Sequence, residues 1–338
     1  MKARYLKSSV PPEPGQLFLQ NPVSPDSERT IPPYFCRFAW NRIRMSLVLD
    51  LAVAGLVLFV VLAVVLPAFS RAGLRRHRRS QLQAFERERG SRVISMIHRQ
   101  ESIALMGMAL SRYIDVEDSE AVLRAIRKTD NDVPIDLVIH TPGGLVLAAG
   151  QIAWALAEHP AKVTVHVPHY AMSGGTLLAL AADEVVMDEN AVLGPVDPQL
   201  GGVPAASVRA AVERKDPNEV DDTTLILDDL SEKAIRQVER TVADLLEARG
   251  FDPDEARETA ATLATGQFTH DYAIRVEEAR ELGLTVNTDV SEVIYDLMDL
   301  YAQPRGRRPS VQYVDVPYGG QREQDSEDGK LPSEVRLR

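Results

Sequence analysis

A single cysteine, Cys36, makes up the whole thiol complement of these 338 residues, so no internal disulfide can staple the chain and its stability must come from packing. Positive charge is also in short supply. The 38 Lys and Arg face 49 Asp and Glu, a net charge of −11, and no basic stripe runs through the region expected to fold, which argues against nucleic acid as a partner. The sequence has no phosphate-binding loop, no dinucleotide fingerprint and no metal-ligand cluster of Cys, His and carboxylates, so catalysis without ATP, cofactor or metal is expected. Large apolar residues are sparse at both ends. Residues 1–44 carry Pro11, Pro12, Pro14, Pro22, Pro25, Pro32 and Pro33 and read as a disordered tail, and 303–338, rich in Pro, Gly, Arg and acidic residues, reads as a second one.

What the ends lack, residues 45–69 have in excess. The run is almost wholly apolar, long enough at ~1.5 Å per residue to cross a ~30 Å hydrocarbon layer, and its one acid, Asp50, lies near an end. A transmembrane helix is expected, since the run starts too late and is too long for a cleaved signal peptide. Arg71, Arg75, Arg76, Arg78 and Arg79 follow it, against Arg37, Arg42 and Arg44 before it. That bias puts the following domain on the cytoplasmic side of a single-pass membrane protein. A basic, polar helical connector spans 70–90.

From 91 to 302 strands and helices alternate. Strands are expected at Arg92–Ile97, Ile135–Ile139, 161–168 and Glu184–Met187, with helices over Asp118–Arg127 and Leu145–Glu158 between them. Repeated β-α-β units imply an α/β fold with a mostly parallel sheet, and ligands then bind beyond the carboxyl ends of the strands. Two glycine pairs fall at that edge, in Thr141-Pro-Gly-Gly144 and in Tyr170-Ala-Met-Ser-Gly-Gly-Thr176. Ser173 stands where a strand turns into a helix. Unsatisfied backbone N–H groups and the positive helix end there stabilise negative charge, as an acyl-transfer nucleophile requires.

Thr141-Pro-Gly-Gly144, Ala171-Met-Ser-Gly-Gly-Thr176, Ala181-Ala-Asp-Glu-Val-Val-Met187 and Leu193-Gly-Pro-Val-Asp-Pro-Gln199 together resemble the Clp/crotonase superfamily. Within it the chain resembles signal peptide peptidase A-like serine peptidases, and most closely the membrane-bound bacterial group called the serine dehydrogenase proteinase family, which implies a bacterial inner membrane. The resemblance implies that Ser173 is the nucleophile, that N–H groups of Gly143 or Gly144 and of Gly174 form the oxyanion hole, and that the protein self-assembles. Protein or peptide substrates follow, with stomatin-like membrane proteins as further partners. Clp proteases place a histidine where this chain has Asp197, so the base must come from elsewhere. Signal peptide peptidase A relatives use a lysine, and the stomatin-cleaving archaeal ones carry theirs on a helix ending in Arg-Gly. Lys233, on a stretch ending in Arg249-Gly250, matches that pattern, and a face shared with Ile226 and Leu230 points it inward.

Lys215 and a His270–Asp271 pair are the alternatives for the base. Asp197 reads as a turn or subunit-contact residue, and His140 and His169 as makers of structural hydrogen bonds. Val276-Glu-Glu-Ala-Arg-Glu-Leu-Gly-Leu284 is expected to pack a last helix on the sheet. The sequence thus points to a membrane-anchored serine endopeptidase with a Ser173–Lys233 dyad. A crotonase-like acyl-CoA enzyme and a catalytically silent membrane scaffold of the same fold are the other two readings.

Overall fold

The structure, a computed structural model, describes residues 49–98 and 113–301. The two expected tails lie outside these residues. The chain divides into two units, Met1–Ser70 and Arg71–Arg338.

In the first unit, α1 (49–60) exposes Leu51, Leu56, Leu58 and Phe59. A π-helical turn at Val61–Val65 follows, and then α2 (Leu66–Arg89), of which residues from Arg71 on belong to the second unit. The expected single span over 45–69 is therefore corrected. Its first residues lie outside those described, the π turn interrupts the α-helical ladder, and α2 becomes arginine-rich within a turn and a half. Among the described residues no helix is long and apolar enough to cross a membrane.

The second unit is built on a five-stranded parallel sheet, ordered β1 (Arg92–Ile97), β2 (Ile135–His140), β3 (Val163–Val167), β5 (Glu184–Met187), β9 (Val286–Asn287). β2 is buried along its whole length, as a central strand covered on both faces must be. The two faces differ because side chains alternate. Ile94, Met96, Leu137, Ile139, Val165 and Met187 share an apolar core with Ala148 and Ile152 of α4 (Val146–Ala157), Leu178 of α5 (Gly174–Leu180) and Val242 and Leu246 of α7 (Asp222–Ala248). Truncating a leucine such as Leu137 to alanine there costs about 2–5 kcal/mol.

The other face mixes Val93 and Val138 with Asp136, Thr164 and His166, under Phe85 of α2 and Ile294 and Met298 of α10 (Glu292–Asp299). Burial alone would raise the Asp136 pKa, but its hydrogen bond to His166 and the nearby Arg89 charge outweigh that and hold it below the ordinary carboxylate range.

α3 (Val116–Arg127) starts earlier than the sequence suggests. Its cap is Asp115, which exchanges hydrogen bonds with Asp118 in a capping box, so Asp118, where the helix was expected to begin, lies inside its first turn. Nor is α9 (Val276–Glu281) the last helix, because β9 and α10 follow it. Gly283 still has the packing role its position implies: a Cβ there would come within 2.6 Å of the Phe251 ring. Both glycine turns leave the carboxyl ends of β2 and β3, at the sheet edge where parallel folds place their sites.

Candidate active site

Ser173 is the only non-glycine residue at positive φ among the described residues, with φ 50° and ψ −114°. Such backbone strain costs on the order of 1–3 kcal/mol and persists only where the surroundings enforce it. They do so here. Ser173 stands two residues after the short strand β4 (Tyr170–Ala171) and caps α5, and the turn is held by Gly175 N–H donating to Met172 O at 2.8 Å and Thr176 N–H to Ser173 O at 2.9 Å. Thr176 Oγ1 donates to Ala171 O at 2.9 Å and pins the helix start to the strand. The sharp turn lifts Ser173 out of the helix and leaves Gly174 N–H, the first of α5, with no acceptor among the described residues.

The second glycine turn meets the first. Ile114 N–H donates to Gly143 O at 2.7 Å, and Ile114 O accepts from Leu145 N–H at 2.9 Å, so Ile114 pairs with the residues on either side of Gly144. In an extended pairing of this kind the middle residue directs its own N–H the opposite way. Gly144 N lies 3.4 Å from where a Gly174 Cβ would stand, and a Cβ on Gly143 would meet that of Ser173 at 2.7 Å, so glycine is required for the two turns to approach. The three expected oxyanion donors then separate. Among the described residues Gly144 and Gly174 N–H have no acceptor and are unspent, while Gly143 N–H donates to Thr141 Oγ1 at 3.2 Å.

Ser173, Gly144 and Gly174 line a cavity of about 230 Å³ together with Leu177, Val238, Asp197 and His270. His270 Nδ1 lies 2.8 Å from Asp197 Oδ1, and Asp197 is 3% exposed. The Asp197 hydrogen bond raises the His270 pKa above the ordinary imidazole value, against the opposing effect of burial. The loop bearing His270 is braced by Phe268 stacked on Tyr272 and by the pairing of Leu193 with Ile274. A strained serine, two unspent N–H groups and an imidazole oriented by a buried carboxylate are the parts of an acyl-transfer site.

Residues 43–328 match the family described as ClpP-like SDH-type serine proteinases. The chain belongs to that family. It is a serine peptidase. It is 55% identical over 237 residues to the uncharacterized protein MJ1495 of Methanocaldococcus jannaschii, spanning 70% of this chain and 80% of that one. With MJ0137 of the same organism it is 57% identical over 236 residues, 70% and 82% of the two chains. Similar solved structures include the 1510-N membrane-bound stomatin-specific protease, at 17% identity, 62% of this chain, 82% of that chain and a TM-score of 0.38. ClpP1 from Listeria monocytogenes aligns at 19% identity, 58% of this chain, 92% of that chain and a TM-score of 0.36.

In this SDH-type proteinase the lysines expected to act as base stand apart from the Ser173 cavity. Lys233 is half exposed on α7 and paired with Asp229 one turn earlier. Five residues of helix separate it from Val238, which lines the cavity, and that spacing turns it about 140° away around the axis. The face it shares with Ile226 and Leu230 is exposed, not inward, while α7 buries Ser231, Val238 and Val242. Lys215 is exposed beyond the end of α6 (Ala205–Glu213). The partner of His270 is Asp197, not its exposed neighbour Asp271. Reading Asp197 as a turn residue missed that pairing. A carboxylate in the segment beside the serine turn, where Clp proteases have their histidine, was the signal that could have directed the search to a distant imidazole.

Proposed function

We propose that this peptidase cleaves peptide bonds with Ser173 as nucleophile, His270 as base and Asp197 holding the imidazole. With Nδ1 committed to Asp197, His270 Nε2 takes the Ser173 proton as Oγ attacks the scissile carbonyl, and Gly144 and Gly174 N–H receive the oxygen that becomes negative. The imidazolium then passes its proton to the leaving amine. Water, deprotonated in turn by His270, releases the acyl group from Ser173. The observation that carries this reading is that Ser173, His270, Asp197 and the two unspent N–H donors line one cavity. The test is hydrolysis of an unfolded protein substrate by purified protein: Ser173→Ala and His270→Ala should both be inert and Lys233→Ala active, whereas an active His270→Ala with an inert Lys233→Ala returns the base to lysine.

The reading extends to attachment at a membrane, with the peptidase unit on the cytoplasmic side. Its support is the apolar segment 45–69, whose described side chains on α1 are exposed, followed by the arginines from 71 to 79. Retention in the membrane fraction after alkaline carbonate washing tests it, and release by carbonate would reject it. Self-association is a further part, supported by Leu225, Ile226 and Leu230 exposed together on the first half of α7. Light scattering of the protein in detergent, with Ile226→Glu and Leu230→Glu as the dissociating pair, reads that out.

A further inference from the structure

Behind the glycine turn runs a polar chain, buried at His98 and Thr141 and partly exposed at Asp118, that the proposed chemistry leaves unused. His98 follows β1 and is 5% exposed, Thr141 follows β2 and is fully buried, and Asp118 lies in the first turn of α3. His98 Nε2 stands 3.1 Å from Asp118 Oδ2, and Nδ1 stands 2.9 Å from Thr141 Oγ1. The same Thr141 oxygen accepts the Gly143 N–H at 3.2 Å. Asp118 Oδ2 is fixed in turn by the Asp115 N–H at 3.1 Å, which closes the capping box of α3. With the imidazole proton on Nε2, every link has a donor and an acceptor: Nε2–H to Asp118, Thr141 O–H to Nδ1, Gly143 N–H to Thr141 Oγ1.

The chain ends on the peptide that precedes the proposed oxyanion donor. Gly143 sits at φ +104°, a conformation with little intrinsic preference, so what fixes it must be its neighbours. Thr141 Oγ1 holds its N–H and Ile114 N–H holds its C=O. The first contact fixes the 142–143 peptide and the second the 143–144 peptide, so together they set φ and ψ of Gly143 and with them the direction of Gly144 N–H. The main chain of Thr141 also reaches the serine turn, its C=O accepting the Met172 N–H at 3.0 Å and its N–H donating to Tyr170 O at 3.3 Å.

We propose that Thr141, oriented by His98 and Asp118, is a positioning residue that aims Gly144 N–H at the developing oxyanion. This rests on the reading that Gly144 is an oxyanion donor. Replacing the hydroxyl by a methyl of equal size leaves Gly143 N–H buried without an acceptor and frees the peptide to rotate, and a misaimed donor weakens the transition state more than substrate binding.

The experiment measures kcat and KM on a peptide substrate, with Ki for a peptide aldehyde that forms a tetrahedral adduct, for Thr141→Val, Thr141→Ser, His98→Gln and Ser173→Ala. Thr141→Val should lose about 10- to 100-fold in kcat with KM within about twofold, and aldehyde affinity should fall in step with kcat/KM. Thr141→Ser keeps Oγ1 and should return to within about threefold of wild type, and His98→Gln, one link further away, should lose about 3- to 10-fold in kcat alone. Wild-type kcat in Thr141→Val, a loss carried by KM, or equal damage from valine and serine would overturn the proposal. Should Thr141→Val fail to fold, His98→Gln decides alone: a kcat-only loss supports it and unchanged kcat rejects it. An active Ser173→Ala would sink the underlying chemistry, whereas an inert Ser173→Ala beside a fully active Thr141→Val would sink the positioning role only.

Discussion

His270 and Lys233 stand in opposite surroundings. The imidazole is braced in a loop, bonded to a buried carboxylate and set in the wall of the cavity that holds Ser173. The Lys233 amine is half in water at the end of a flexible stem and paired with Asp229. A base must reach the serine hydroxyl and stand in one place. The solvent face of α7 gives Lys233 neither, since the cavity is lined by Val238 of that helix and not by Lys233. The comparison shows that an interval along the chain is a weaker guide to a catalytic partner than the convergence of separate elements on one cavity.

The largest effect expected is that of Ser173→Ala, a fall of at least about 10³-fold in kcat/KM for peptide hydrolysis with the fold intact by circular dichroism. His270→Ala should follow closely. Asp197→Asn, which leaves the ring in place but removes the charge that orients it, should lower kcat by about 10²- to 10⁴-fold. Because Asp197 raises the His270 pKa, activity should climb with pH through a midpoint above the ordinary imidazole value, and in Asp197→Asn that midpoint should move down. Stability carries the opposite sign. A folded-state pKa above the unfolded one means the contribution of the His270–Asp197 pair is complete below about pH 6.5 and is lost as pH rises through the folded value. Thermal melts from pH 5 to 9 compared with those of His270→Ala check it. Lys233→Ala should have the smallest effect, within about twofold in kcat/KM, since an exposed i,i+4 pair is worth only a few tenths of a kcal/mol.

Much of the fold was legible in the sequence because its signals are local. Apolar strands such as 135–139 and 184–187, punctuated by glycine turns, give the parallel sheet and its functional edge, and glycines 143, 144 and 174 announce the close approach of two loops. The place of Ser173 at a strand-to-helix turn was readable for the same reason, since the glycines that follow it mark the turn. Cap and face assignments went wrong where a local pattern had two solutions. Asp115 and Asp118 can each begin α3, and the face of Lys233 was read inward from the apolar Ile226 and Leu230, both of which the fold leaves exposed. The Asp197–His270 pair joins residues 73 apart from two different loops, and nothing in the periodicity of either stretch announces the other.

The central claim is that His270, not Lys233, activates Ser173. The most direct measurement is the rate at which a fluorophosphonate labels Ser173, located by peptide mass spectrometry, in wild type, His270→Ala and Lys233→Ala. Labelling should be slowed at least about 10²-fold by loss of the imidazole and unchanged by loss of the amine. Wild-type labelling in His270→Ala together with none in Lys233→Ala would contradict it.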